Sequence, residues 1–306
     1  MSADPRRAGV EVSLTSTLAV EPTQFANLRR RALRHIGFMI GGGVLVLVVF
    51  VALFAPLIAP EDPYAQNLTR RLLPPIWHAD GSWSNMLGTD SLGRDYLSRV
   101  IHGVRFSLLI GLSAVMISAV IGIFLGIMGG YFGGRIDSAV VFILTCRLAL
   151  PVVVVALAVV ALVGPSLQLV ILVLGLLIWD RFAVVMRSST QQVRGLDYIN
   201  AARALGCSTP RILWSEILPI VAPNLIVVAT LEIANAILLE AALSFLGLGV
   251  PPPLPSLGLM ISEAKGLMIF EPWVIGVPGV VLFVMVLAIN LFGDGVRDLT
   301  ARDRSS

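Results

Sequence analysis

The sequence predicts an all-α protein that crosses a membrane six times. Of its 306 residues, 57% are hydrophobic and only 13% are charged, whereas soluble globular domains carry about 25% charged residues. The mean hydropathy is +0.89. The second observation is a series of apolar runs of roughly 20 residues, the length that a membrane-spanning helix needs.

The predicted spans follow one another along the chain with polar segments between them. They cover residues 36–59, 105–130, 138–163, 167–186, 219–242 and 273–293. The first run exceeds the roughly 7 to 15 apolar residues of a signal-peptide core, so we expect it to be retained as a span. Residues 1–35 then form a polar tail, expected to be disordered over residues 1–28.

The positions of the basic residues predict which segments face the cytoplasm, because Lys and Arg are retained preferentially on that side. With the N-terminus inside, fourteen of the 22 Lys and Arg residues fall in inner segments and six in outer segments. We therefore predict that both termini, residues 1–35 and 294–306, are cytoplasmic. Residues 60–104 then form a long extracytoplasmic loop.

Composition and motifs exclude several classes of function. The net charge of +3 comes from scattered arginines without a basic stripe, which argues against nucleic-acid binding. Cys146 and Cys207 have no partners at metal-ligand spacing, so neither a disulfide framework nor a zinc site is expected. The single lysine, Lys265, is not part of a GxxxxGK[ST] phosphate loop, so the chain does not hydrolyse ATP by that route.

Small residues recur every four positions in the second predicted span. Ser118, Gly122, Gly126 and Gly130 share one helical face, which lets another helix approach closely. We interpret this face as a packing surface rather than a functional one.

The segment that follows Glu240, AALSFLGLGVPPPLPSLG, is too interrupted by glycines and prolines to be a full span. Irregular backbone at membrane depth is tolerated where protein or a water-filled cavity covers it, which allows a re-entrant turn beside a pathway. A simple extracellular loop is the alternative.

Residues 198–219, YINAARALGCSTPRILWSEILP, form a polar helical segment between two spans. Good helix formers precede Gly206, which supplies a left-handed stop. Thr209 is expected to cap a second short helix with Pro210 in its first turn, and Pro219 follows where the next span begins. The small side chains of the first helix fit a docking surface for another protein, and a connector lying on lipid headgroups is the alternative.

Several stretches resemble one family of transport proteins. They are AARALG at 201–206, followed by the LP pair at 218–219, LGTDSLGRDYLSRVIHGVRFSL at 87–108, GGYFGG at 129–134, LSFLGLGVPPPLPSLG at 243–258 and NLFGDGVRDL at 290–299. Together they resemble the C-type permease subunit of ABC importers for dipeptides, oligopeptides and nickel. The resemblance covers roughly residues 36–300 and implies the type I ABC importer permease fold, with a permease core over 105–293.

The resemblance also implies partners. In that family the 198–219 segment is a coupling helix seated in a cleft of a separate ATPase. The residues expected to couple to that ATPase are Asn200, Ala201, Ala202, Arg203, Leu205, Gly206 and Arg211. Asn200 stands where the family has glutamate, which keeps hydrogen-bonding capacity but loses the charge.

The expected assembly contains this chain, a second, B-type permease, two ABC ATPase subunits or one fused ATPase, an extracytoplasmic solute-binding protein and membrane lipid. ATP and Mg²⁺ would be bound by the ATPases. The chain itself is then expected to hold no cofactor, no metal and no catalytic residue.

Ionisable residues inside predicted spans are functional candidates, because an unpaired charge there costs a few kcal/mol or more. The candidates for the translocation pathway are Arg147, Asp180, Arg181, Glu232 and Glu240. We hypothesise that Arg147 and Glu232 face the shared interior and suit it to a zwitterionic or charged solute. A buried ion pair without substrate contact is the alternative.

The 60–104 loop carries Asp90, Arg94 and Asp95, which the resemblance places where a solute-binding protein docks. A lid or a structural plug is the alternative for this loop.

The predicted function is that of a permease subunit in a bacterial inner membrane, forming half of an alternating-access pathway for peptides, with nickel or another chelate as open alternatives. A different class is a secondary transporter driven by an ion gradient through Asp180, Glu232 and Glu240, although the sequence shows no inverted repeat. An intramembrane hydrolase is excluded because Ser244 has no histidine in a neighbouring span.

Overall fold

The computed structural model describes residues 35–302, with side chains described up to residue 299. The predicted tail, apart from residue 35, and residues 303–306 lie outside the described residues. The helices are α1 Ile36–Leu53, α2 Ala55–Ile58, α3 Tyr96–Phe132, α4 Gly134–Leu148, α5 Val152–Val163, α6 Leu167–Leu177, α7 Asp180–Val193, α8 Asp197–Ala204, α9 Thr209–Arg211, α10 Leu218–Phe245, α11 Leu257–Glu263 and α12 Pro272–Arg302. Across this part of the chain the regular structure is helical, apart from one antiparallel bridge between Thr89 and Asp95.

Six spans are present if one bent pair is counted as a single crossing. Within the described residues, five helical stretches are long and apolar enough to cross a membrane. The sixth is the pair α4 and α5, which meet at an angle of 76°. The predicted number of spans is therefore confirmed in this sense, although the third span is broken near its middle.

Several span boundaries differ from the prediction, among them the start of α3 and the end of α12. α3 begins at Tyr96, so residues 96–104 belong to the helix and not to the loop. The Asp95 carboxylate caps this helix by accepting a hydrogen bond from the Ser98 amide at 2.8 Å. α12 continues to Arg302, so residues 294–302 of the predicted C-terminal tail are helical.

The segment before α10 is continuous with that span. α9 leads into a π-helical stretch, Ile212–Ile217, and then directly into α10. The predicted cap at Thr209 is wrong, because Ser208 holds the N-cap position and makes no side-chain capping bond. Pro219 lies in the first turn of α10, where the sequence placed it, although the continuous helical stretch begins earlier, at Thr209. The wider π turn lies directly before this proline, whose ring would clash with a preceding carbonyl in a regular helix.

α3 is the central helix and packs along α7, α6 and α10. Its small-residue face forms the contact with α6 and α7: the Ser118 hydroxyl donates to the Gly175 carbonyl at 2.7 Å. A Cβ atom on Gly122 would lie 2.4 Å from Cβ of Phe182. The predicted packing role of this face is confirmed.

The bundle has two ends, which the antiparallel helices define. Tyr131, the α8 helix and the start of α9 lie at one end, called here the coupling end. The segments 59–95 and 246–271 lie at the other, called the loop end. There α11 turns back against α10, since a Cβ atom on Gly258 would lie 2.6 Å from the Ala241 Cα. This fold-back agrees with a re-entrant turn better than with a simple loop.

Candidate functional site

The α8 helix, called here the lever, packs against the bundle through one buried side chain. Ile199 has no exposed surface and packs in a cluster with Ile212, Ile217 and Val221 from the start of α10 and the stretch before it. The other residues of α8 are exposed or half-buried. The helix therefore projects from the coupling end and is anchored there by the buried side chain of Ile199.

Gly206 ends α8 as the sequence predicts. Its φ is +80°, a value in the left-handed region that favours glycine. The Gly206 amide donates to the Arg203 carbonyl at 3.0 Å and the Cys207 amide donates to the Ala202 carbonyl at 3.1 Å, the two bonds of a Schellman motif. The turn after α8 is thus specified by its own backbone bonds.

The residues predicted to couple to an ATPase form one accessible segment. Ala202 is half-buried, and the exposed members are Asn200, Ala201, Arg203, Leu205, Gly206 and Arg211. Leu205 is 85% exposed and Trp214, which the sequence analysis did not single out, is 72% exposed. Both side chains are available for contact with a partner protein or with lipid headgroups.

Arg203 connects α8 to the end of α3. Its guanidinium lies 4.8 Å from the centroid of the Tyr131 ring, and its Nε donates to the Tyr131 hydroxyl at 3.3 Å. Tyr131 belongs to the GGYFGG stretch, yet nothing in its local sequence indicates that it contacts a residue 72 positions away.

Arg147 and Glu232 do not form an ion pair with each other. Arg147 Nε donates to the Leu177 carbonyl at 2.5 Å, and its Nη2 lies 3.3 Å from Asp180 Oδ1. α6 ends at Leu177, so this carbonyl has lost its helical donor. Arg147 therefore supplies the missing bond at a helix break and is held away from Glu232.

Glu232 pairs with Arg181 instead. Arg181 Nη1 lies 2.9 Å from Glu232 Oε1, and the Asn235 side-chain amide donates to Glu232 Oε2 at 3.1 Å. The two acids Asp180 and Glu232 and the Arg181 guanidinium border a cavity of about 400 Å³ between α7 and α10. Three of the five predicted pathway residues thus lie together beside one cavity.

Glu240 lies apart from this cavity, and its place in the pathway stays a prediction. It is fully buried, and its Oε1 accepts hydrogen bonds from the Ser244 hydroxyl at 2.7 Å and the Ser256 hydroxyl at 2.8 Å. Ser256 caps α11. Glu240 therefore holds the folded-back α11 segment against α10.

The residues predicted to dock a solute-binding protein are buried, so they do not form an accessible surface. Asp90 Oδ2 lies 2.6 Å from Arg94 Nε and 2.5 Å from Arg99 Nη1. Arg99 Nη2 continues to Glu263 Oε2 at 2.8 Å. Burial acts to raise the pKa of the Asp90 carboxyl, but Arg99 and Arg94 outweigh it and hold the pKa below its ordinary value.

Asp95 is also turned inward. It accepts a hydrogen bond from the Asn85 side-chain amide at 2.9 Å in addition to capping α3. The buried charges of this region therefore fasten the loop to α3 and α11. The loop residues left on the surface include Trp77 and Trp83.

Comparison with known proteins identifies the family. Residues 122–306, which include the coupling segment and the cavity, match the family described as binding-protein-dependent transport system inner membrane component. Residues 23–75 match the N-terminal transmembrane domain of oligopeptide transport permease C. The chain belongs to the binding-protein-dependent transport permeases of the inner membrane.

Relatives of this permease are similar over most of its length. It is 43% identical to the di/tripeptide transport system permease protein DppC of Pseudomonas aeruginosa over 259 residues, covering 84% of this chain and 86% of the relative. It is 39% identical to the dipeptide transport system permease protein DppC of Haemophilus influenzae over 262 residues, covering 86% and 89%. A glutathione transport system permease protein, GsiD of Pectobacterium atrosepticum, is 35% identical and covers 90% of each chain.

The permease also shares its fold with a solved structure. A chain of the MetNI methionine ABC transporter in an inward-facing conformation aligns with a TM-score of 0.53 at 20% identity, covering 66% of the permease and 96% of that chain. This similarity shows the type I ABC importer permease fold. The predicted fold class is thereby confirmed, whereas the cytoplasmic position of both termini stays a prediction.

Proposed function

We propose that this permease moves peptides through an ATP-driven importer, in which it forms half of the pathway beside a second, B-type permease. The support for peptide cargo is its similarity to permeases named for dipeptide and di/tripeptide transport. Two ABC ATPase subunits, or one fused ATPase, and an extracytoplasmic solute-binding protein complete the assembly. ATP and Mg²⁺ are held by the ATPases, and this chain supplies no hydrolytic group.

The observation that carries this proposal is the α8 lever. A helix that projects from the bundle, with Ile199 buried and Leu205 exposed, fits the cleft of an ATPase partner. Residues 209–245 form a continuous helical stretch from this lever to the loop end. A displacement of α8 is therefore passed to a whole span as a rigid-body movement.

At the loop end, the proposed docking surface for the solute-binding protein consists of the exposed part of the 60–95 loop. Trp77 and Trp83 are large exposed side chains of the kind enriched at protein interfaces. Asp90, Arg94 and Asp95 act indirectly by holding the loop in shape. A lid over the pathway remains the competing role for the same loop.

The proposal is tested with the complete complex in proteoliposomes, with ATP on the side of the ATPases and a peptide-loaded binding protein on the other. We expect labelled dipeptide to accumulate only when ATP is present, and a proton ionophore to leave the rate unchanged. Uptake that ignores ATP and stops with the ionophore would establish a secondary transporter instead. Uptake of a nickel chelate without any peptide uptake would show that the cargo is a metal chelate and not a peptide.

A further inference from the structure

Two helix breaks meet beside the cavity. One separates α4 from α5 at residues 149–151, and the other separates α6 from α7 at residues 178–179. Arg147 joins them by donating from α4 to the Leu177 carbonyl. Interrupted helices near the middle of a membrane are tolerated where they line a water-filled cavity or a protein contact, and they are typical of solute sites in transporters.

The charged groups at this cavity are unequally exposed. The Arg181 side chain is 62% exposed, whereas the Glu232 side chain is 1% exposed. The remaining lining is mostly leucine and valine. The exposed charged group at the cavity is thus the Arg181 guanidinium, and its counter-ion, the Glu232 carboxylate, is buried.

A guanidinium so exposed at membrane depth is strongly unfavourable against lipid. Contact with water or with an anionic group would stabilise it. The Glu232 ion pair joins Oε1 to Nη1 of Arg181 at 2.9 Å, and a guanidinium carries five N–H groups, so donors remain for a ligand in the cavity. A guanidinium binds a carboxylate in a bidentate manner with defined geometry.

We propose that Arg181 binds the carboxylate of the peptide cargo as it passes through the pathway, with Glu232 as the residue that positions the guanidinium. This inference rests on the proposed function and names a subsite within it. Arg147, Asp180, Arg181 and Glu232 together carry no net formal charge. The cavity therefore favours a zwitterionic solute over a free anion or cation, because either would leave a charge uncompensated.

The first experiment removes the guanidinium from the complete complex in proteoliposomes. In R181Q the buried Glu232 carboxylate loses its partner, so the yield of the complex is measured beside transport, and transport is expressed per ATP hydrolysed by the assembled complex. Peptide transported per ATP is expected to fall about tenfold, the effect of losing one charge-assisted interaction. R135Q, which removes an exposed arginine outside the cavity, is the matched control and is expected to transport normally.

A double variant separates substrate contact from a structural ion pair. In R181Q/E232Q both charges are absent, so a pair that only stabilises the fold would regain wild-type transport. We expect transport per ATP to remain as low as in R181Q. Recovery in the double variant, or wild-type transport by R181Q, would each overturn the assignment.

Access from water gives an independent readout. With C146S and C207S as background, R181C is expected to react with a water-soluble cationic thiol reagent, and peptide-loaded binding protein with ATP is expected to slow that reaction. A cysteine that does not react lies in lipid or in a protein contact, which contradicts the subsite. Failure of the proposed function is distinct, since it appears as absent ATP-dependent peptide uptake in the wild-type complex.

Discussion

The Arg203 guanidinium stacks 4.8 Å from the ring centroid of Tyr131, which joins the exposed α8 lever to the last turn of α3. α3 runs through the whole bundle, and its other end carries Arg99, which pairs with Asp90 and Glu263 at the loop end. One helix therefore contacts both the lever and the outer loop. This gives a physical route between the two faces of the permease.

We predict that Tyr131→Leu lowers coupling without preventing assembly. The partly exposed cation–π contact is worth about 0.5–1 kcal/mol, so peptide transported per ATP should fall about two- to fivefold. ATP hydrolysis by the complex is expected to continue. Tyr131→Phe keeps the ring and loses only the hydroxyl contact with Arg203, and it should be affected less. Equal effects of the two substitutions would show that the ring is not the coupling element.

Ile199→Ala should loosen the lever. Removing a fully buried isoleucine side chain costs about 2–5 kcal/mol, and Ile199 is the buried residue of α8. We expect faster trypsin cleavage at Arg203 and strongly reduced transport. The conservative Ile199→Val, which costs about 0.5–1.5 kcal/mol, is the control. Unchanged cleavage in Ile199→Ala would mean that other contacts hold α8.

Gly122→Ala should destabilise the permease at the contact between α3 and α7. The added Cβ would lie 2.4 Å from the Phe182 Cβ and 2.6 Å from the Trp179 carbonyl oxygen, so the helices must move apart at a cost of about 1–3 kcal/mol. The measurement is the thermal midpoint of the solubilised complex. Gly43→Ala is the control, since a Cβ there meets no atom within 4 Å, and it should not lower the midpoint.

Acid is expected to detach the 60–95 loop from α3 and α11, because protonation of Asp90 breaks its ion pairs with Arg94 and Arg99. Its folded pKa lies below the ordinary value of 3.8, so the network stabilises the fold fully above that value and loses this contribution as pH falls through the lowered pKa. Fluorescence of Trp77 and Trp83, followed from about pH 5 to about pH 2, should report the release.

Asp90→Asn should abolish this acid transition and weaken the loop at neutral pH, because breaking one side of a buried pair costs about 3–5 kcal/mol. Asp62→Asn, at an exposed position of the same loop, should leave the acid transition in place. An acid transition that persists in Asp90→Asn would assign it to another carboxyl group.

The local features of the permease were predictable because neighbouring residues specify them. The number of spans follows from the length of the apolar runs, the α3 packing face from the four-residue spacing of Ser118, Gly122, Gly126 and Gly130, and the end of α8 from Gly206. The start of α3 was predicted nine residues too late, because an arginine at position 99 is typical of a polar loop. Only its contacts with Asp90 and Glu263 allow that arginine to be buried in a helix.

The sequence by itself determined which residues could cross a membrane and where the lever lies, since apolar length, small-residue spacing and glycine stops act within a few turns of chain. Only the tertiary structure decided which acid meets which arginine. Arg147 is drawn to the Leu177 carbonyl at a helix break and Arg181 is left to Glu232. These partners lie 30 or more residues apart in the sequence. Which of them meet depends on how the packed helices are rotated and where they are interrupted, and local sequence patterns do not specify either.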